Sequence, residues 1–323
     1  MKKSIVALAV TSAAFASISA YAAEDSSVDF YGNIQYAFSN QNGVGTNFED
    51  NGSTLGVKGE SKVDDNLTAF FKYELEFKAD EQEDRGAATA YNQSHLDQAF
   101  VGLKGDFGKV TAGTHDTIYN NAIQDGIDQF EYLGTAKAAG SSQGDTITYF
   151  SPSMSGLEMQ VAVQTKGTNP NATSNTSTGD NSGNAPMAVI KYSTDMFSVA
   201  VGYDSRGNTA ASNTKSSTGV AVTVTPMDNL TVTGKYETTE DTANYLGLAA
   251  RYGYGMGDVY GSYVNVNPDS SQVNHETYNQ YAVGVTYSIN SNMYTYAEIG
   301  SFGSATANVG STATSVVGVT YAF

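Results

Sequence analysis

The sequence predicts an all-β protein, a transmembrane antiparallel β-barrel of about sixteen strands. Three observations lead there. Apolar and polar side chains alternate with a period of two along segment after segment, so each strand carries one apolar and one polar face. The connectors between these segments alternate between tight and long. After residue 22, no apolar run approaches the ~18 residues that would mark a spanning helix. Composition agrees: Tyr, Phe and Gly are abundant, Pro is rare and Trp is absent.

The first element is not a strand. "MKKSIVALAVTSAAFASISAYA" opens with Lys2 and Lys3, continues through a charge-free apolar stretch and ends on Ala20-Tyr21-Ala22. That is the pattern of a cleaved secretory signal, and its apolar core is shorter than the ~20 residues a membrane anchor needs. Residues 1–22 are therefore expected to be a leader and residues 23–323 one barrel domain. The formal net charge of −17 becomes two units more negative without the leader. Such a balance argues against nucleic acid as a partner. The chain has no cysteine, so disulfides and cysteine-based metal or redox chemistry are excluded.

The strands follow in order. In "VDFYGNIQYAF", Val28, Phe30, Ile34, Tyr36 and Phe38 share one face, while Asp29, Tyr31, Asn33 and Gln35 share the other. In "TAFFKYELEFK", Phe71, Tyr73, Leu75 and Phe77 oppose Lys72, Glu74, Glu76 and Lys78. "LEMQVAVQ" sets Leu157, Met159, Val161 and Val163 against Glu158, Gln160 and Gln164. The same reading places strands near 28–38, 53–61, 67–78, 95–104, 108–115, 144–150, 156–165 and 186–193. It continues near 196–205, 217–226, 229–239, 245–253, 257–265, 276–288, 292–300 and 314–323. Long polar connectors (39–52, 79–94, 116–143, 166–185, 206–216, 266–275 and 301–313) trade places with tight ones such as "GDFG", "TPMDN" and "INSN".

One rim is thus trimmed and the other elaborated, the arrangement of a membrane barrel with short periplasmic turns and long external loops. A soluble β-sandwich also alternates, but it would bury its apolar faces against each other. Here those faces carry Tyr and Phe toward the strand ends, as interfacial aromatic girdles do. The closing segment "VVGVTYAF" would turn Val317, Val319, Tyr321 and Phe323 to lipid, and its backbone would pair with the first strand.

Several segments taken in order resemble the Gram-negative general porins: "VDFYGNIQYAF", "STLGVKGE", "QAFVGLKGDFGKVTAGTHDT", "ITYFSPSMSGLEMQVAVQ" and the terminal "VGVTYAF". The resemblance covers the whole chain after the leader. It implies a homotrimeric outer-membrane channel through which ions and small hydrophilic solutes diffuse passively, with no cofactor. It also implies that outer-membrane lipid surrounds the barrel. The barrel-assembly machinery would then read the C-terminal aromatic, giving Tyr321 and Phe323 a role in closure and assembly.

In this family the third long loop folds into the pore and narrows it. Here that loop is 116–143, and the resemblance points to Glu131 in "FEYLG", with Asp128 and Asp125, as its constriction carboxylates. The facing wall departs from the family pattern, because Thr54 and Asp97 stand where relatives carry arginines. Alternation turns Lys58, Lys72, Lys78 and Arg251 inward, and Glu74 with them, so Lys58, Lys72, Glu74, Asp97 and Arg251 are the wall candidates. Acids in a narrow pore concentrate cations, so a cation preference is expected.

Other functions remain as alternatives. A substrate-selective channel or an adhesive barrel would use the same architecture. An enzyme is disfavoured: His95, His115 and His275 are scattered, and no metal-binding spacing occurs.

Overall fold

The computed structural model describes residues 26–80, 94–138, 142–166, 183–206, 215–306 and 309–323. The expected leader, residues 1–22, lies outside the described residues, as do most of the connectors 79–94, 166–185 and 206–216.

The strands are β1 (Ser26–Gln41), β2 (Gly45–Asp50), β3 (Ser53–Asp64), β4 (Leu67–Phe77), β5 (Ser94–Gly105) and β6 (Gly108–Asp116). They continue with β7 (Ser142–Phe150), β8 (Leu157–Lys166), β9 (Gly183–Ser193), β10 (Phe197–Asp204), β11 (Ser217–Met227) and β12 (Leu230–Thr239). The last are β13 (Ala243–Gly253), β14 (Asp258–Pro268), β15 (Tyr278–Ser288), β16 (Met293–Phe302) and β17 (Thr312–Ala322).

All belong to one antiparallel sheet in which successive strands are neighbours and β17 returns to β1. β2 and β3 are two halves of a single stave. β2 pairs with the Tyr36–Gln41 end of β1, and β3 with its Ser26–Asn33 end. The barrel is therefore sixteen-stranded and closed. Between the halves the chain turns at Gly52, whose φ of 84° is left-handed and suits a residue without a Cβ. The Asp50 carboxylate holds this kink by accepting hydrogen bonds from the backbone N–H of Gly52 and Ser53 and from the Ser53 hydroxyl.

This kink corrects one expectation. Residues 39–52 are not a long loop: pairing continues through β2, and only 42–44 connect it to β1. The polar "SNQNGVGTNFEDNG" concealed a strand because its inward positions are polar too. On the same rim, β12 and β13 are joined by 240–242 alone, so that rim is elaborated unevenly.

The alternation divides outside from inside as expected. Phe30, Ile34, Phe38, Tyr73, Val161, Val201, Val283 and Val317 are exposed on the outer wall. In a lipid-spanning barrel that surface meets acyl chains, and backbone polar groups are satisfied between strands. At the seam, Asn33↔Ala322 through Gln41↔Thr314 are in register. Gly32 and Phe323 complete it with reciprocal backbone hydrogen bonds of 3.0 Å. The buried apolar clusters lie inside the barrel, between inward strand residues and the segment after β6.

Candidate functional site: the lumen and its inner segment

Residues 117–138 leave the end of β6 and run along the inner wall. Thr117 starts the turn: its Oγ1 accepts from Asn120 N–H at 3.0 Å, ahead of one helical turn, Asn120–Gln124. Ile118 packs on Ala162, Met187 and Val189 of β8 and β9. Tyr119 and Ile123 pack on Ala200 and Ala221 of β10 and β11. Gly219 permits that approach, since a Cβ there would stand 2.7 Å from the Tyr119 hydroxyl. Ile127 then meets Ala249, Val264 and Val266, and Leu133 meets Ala37, Ala282, Tyr296 and Val316.

Two wall carboxylates fasten this path. Glu298 of β16 accepts from three consecutive backbone amides: Glu131 at 2.6 Å, Tyr132 at 3.2 Å and Leu133 at 2.9 Å. The Tyr260 hydroxyl donates to the same carboxylate at 2.7 Å. Glu237 of β12, fully buried, accepts from Gln124 Nε2 at 2.6 Å and Ala138 N–H at 3.3 Å. Lys235 Nζ balances it at 3.0 Å. These hydrogen bonds act together with the buried Ile118, Tyr119, Ile123, Ile127 and Leu133 to hold the segment on the wall. Gln280 adds an acceptor for Ala136 N–H, and Arg251 donates to the Gln129 carbonyl at 3.1 Å.

The segment thus covers the wall from β8 round to β1 and leaves β3–β6 uncovered. That bare wall gathers four of the sequence-predicted residues. Lys72 Nζ lies 3.1 Å from Glu74 and 3.0 Å from Gln98 Oε1, and Gln98 donates to Asp116 at 3.1 Å. Asp97 is the extra residue of a bulge between Glu74↔Gln98 and Leu75↔Leu96, within hydrogen-bonding reach of Glu74. Lys58 stands directly across from Lys72. Thr54, at the other substituted position, accepts from Asn33 Nδ2 instead of contributing charge. Lys78 falls just past the end of β4.

The three expected loop carboxylates do not form one group. Asp125 is exposed and accepts from Asn120 Nδ2. Asp128 faces Lys137 at 3.4 Å. Glu131 lies further along, where the Tyr294 hydroxyl donates to it at 2.8 Å. Burial raises the Glu131 carboxyl above the usual carboxylate range, and the Tyr294 hydrogen bond pulls partly against that. Asp125 is also raised, by desolvation within the segment, with Asn120 opposing. Arg251 is not on the bare wall. It sits against the inner segment, paired with Asp258 at 3.1 Å and stacked 4.6 Å from the Tyr260 ring.

Sequence reasoning missed Glu237, Glu298, Lys235 and Tyr260. The signal was present but weak: charged or phenolic residues on inward positions whose neighbours along the strand are mostly Thr, Ser, Gly or Ala. Among the described residues no cluster of potential metal ligands occurs.

Comparison with known proteins agrees with this architecture. The model of the Gram-negative porin family matches residues 7–322. The monosaccharide porin of Halomonas sp is 35% identical, across 92% of this chain and 94% of that protein. In three dimensions the chain is similar to Salmonella typhi OmpF in complex with daunomycin, with a TM-score of 0.74 at 19% identity over 92% of this chain and 97% of that one. It is also similar to the trimer form of Vibrio cholerae OmpT, with a TM-score of 0.68 at 15% identity over 93% and 100% of the two chains. With a closed sixteen-stranded barrel, an inner segment fastened to its wall and a family match across nearly its full length, the chain belongs to the Gram-negative porins.

Proposed function

We propose that this outer-membrane channel, which serves passive diffusion of solutes, prefers cations and takes that preference from the acidic edge of its inner segment. The observation that carries the reading is the placement of charge at the aperture. In support, Asp125 is exposed on the inner segment, Asp128 beside it is paired with a single lysine, Lys137, and Lys72 on the bare wall is offset by Glu74 and Asp97. Charges inside a narrow zone are screened less than those on the rims, where the Debye length is ~8 Å. Lys58, Lys72, Glu74 and Asp97 then line the pore wall, while Glu131 and Arg251 act mainly where the segment meets the opposite wall. Replacing Asp125 and Asp128 together by Asn should move the reversal potential in a KCl gradient toward zero. An unchanged reversal potential would remove them from the selectivity zone.

Residues 1–22 serve as the export leader in this reading, and three barrels associate as in the trimer form of the Vibrio neighbour. The Halomonas relative's name supports neutral sugars of monosaccharide size as a second solute class, which liposome swelling would detect. Tyr321 and Phe323 close the barrel toward lipid and are the residues the assembly machinery would read. Phe323→Asp should therefore lower heat-modifiable, membrane-inserted protein several-fold while export continues. Undiminished levels of folded protein would count against that role.

A further inference from the structure

We infer that the lumen also holds a weak binding site for small aromatic carboxylates, on the bare wall between the inner segment and the tight-turn rim. The inference rests on the lumen being the solute path.

A cavity of about 720 Å³ opens there, with Asp29, Lys58, Lys72, Phe100, Lys109 and Phe150 among its lining. That volume falls within the range of ordinary small-molecule pockets, roughly 300–1,000 Å³. Its chemistry is unlike the rest of the lumen in two independent ways.

The first is cationic. Two lysine pairs stand directly across neighbouring strands, Lys58↔Lys72 and Lys104↔Lys109. Like charges in that relation destabilise a sheet, so each pair needs an offset. Glu74 offsets Lys72 at 3.1 Å, and Glu60 offsets Lys104 at 2.5 Å. Among the described residues, Lys58 and Lys109 have no carboxylate at ion-pair distance. Asp29 is the cross-strand neighbour of Lys58 without reaching it, and Asp116 is engaged by Gln98. The two ammonium groups rest instead on rings, Lys109 4.0 Å from the centre of Phe150 and Lys58 5.3 Å from that of Tyr31.

The second is aromatic. Phe70, Phe100 and His115 form an edge-to-face chain into the lumen, with centroids 6.3 Å and 5.9 Å apart at 77° and 89°. Inward phenyl groups gain nothing from a water-filled channel, and the half-buried Phe70 and Phe100 leave part of their surface for a flat apolar partner. A solute with one carboxylate and one ring answers both features. The carboxylate takes Lys109 where it lies over Phe150, with Lys58 on the far side, and the ring lies against Phe100. Acetate would use only the lysines, and a neutral arene only the rings.

The test uses the full-length protein in planar bilayers, with benzoate as probe at constant KCl. Benzoate should reduce the potassium current saturably. Acetate and benzyl alcohol should be at least about fivefold weaker, the factor expected when one of two contacts of ~1 kcal/mol is lost. Lys109→Gln and Phe100→Leu, each compared with its own KCl conductance, should raise the half-blocking benzoate concentration about three- to tenfold. Equal block by acetate, equal block by benzyl alcohol, or block unchanged in both variants would overturn the site. A conducting channel that ignores benzoate overturns the site and spares the diffusion reading. A protein without KCl conductance overturns the diffusion reading, and saturation-transfer NMR of benzoate on the detergent-solubilised protein then decides the site separately: transfer lost in Lys109→Gln supports it, no transfer rejects it.

Discussion

The two halves of the lumen are built by the same alternation and do opposite things. From β8 round to β1, inward side chains are spent on protein: Glu237, Glu298, Gln280 and Arg251 bind the inner segment, and small residues such as Gly219 and Ala249 make room for it. Across β3–β6, inward side chains are left facing the opening, and charged and aromatic groups gather there without a covering layer. The difference shows that an inward charge is not by itself a pore charge. Whether it meets solute depends on which staves the segment after β6 follows.

The sharpest way to break this contrast is to free the segment. Glu298→Ala removes the acceptor of three backbone amides and of the Tyr260 hydroxyl. Leaving such groups unpaired costs ~1–3 kcal/mol each. The variant should conduct with larger, noisier currents, whereas Glu74→Ala on the bare wall should alter selectivity with little added noise. Equal noise in both would mean the two halves are not distinct.

A smaller effect separates the loop carboxylates. Replacing Asp125 and Asp128 by Asn should shift the reversal potential more than Glu131→Gln does, because Glu131 is half-buried where the segment meets Tyr294 of the opposite wall, whereas Asp125 is exposed. A larger shift from Glu131 would place it at the aperture after all. Acidification gives a third, graded comparison. Burial raises the carboxyl group of Glu131, and desolvation beside the segment raises that of the surface-exposed Asp125, so their charge is lost on acidification at a pH above the ~3.9 and ~4.3 of free Asp and Glu. Cation preference should therefore begin to fall before ordinary carboxylates titrate, and Asp125→Asn should remove part of that early fall. A preference that stays flat down to the ordinary range would contradict the raised values.

Much of this was legible in the sequence. Period-two alternation located nearly every strand, because a wall with lipid on one side and water on the other forces it. It failed at β2, where "GTNFED" lies beyond the fully apolar band and only the hydrogen-bond ladder with β1 reveals a strand. The same alternation assigns Lys58, Lys72 and Glu74 to the inner face, where Lys58 and Lys72 stand opposite each other on neighbouring strands. It could not say that Arg251, equally inward, would lie beneath the segment, since that depends on its contact with Gln129, far away in the chain. Glu298 and Glu237 stood out only weakly, as charges on inward positions, for the same reason. Four of their partners are backbone amides of the inner segment, which leave no mark on side-chain pattern.

The most direct test is the reversal potential of the wild-type protein in planar bilayers under a KCl gradient at neutral pH and low salt. A water-filled pore with an acidic inner edge predicts steady conductance and a potential of the sign set by potassium moving down its gradient. A potential of chloride sign would show that Lys58 and Lys109 govern the lumen, and an absence of conductance would contradict the channel itself.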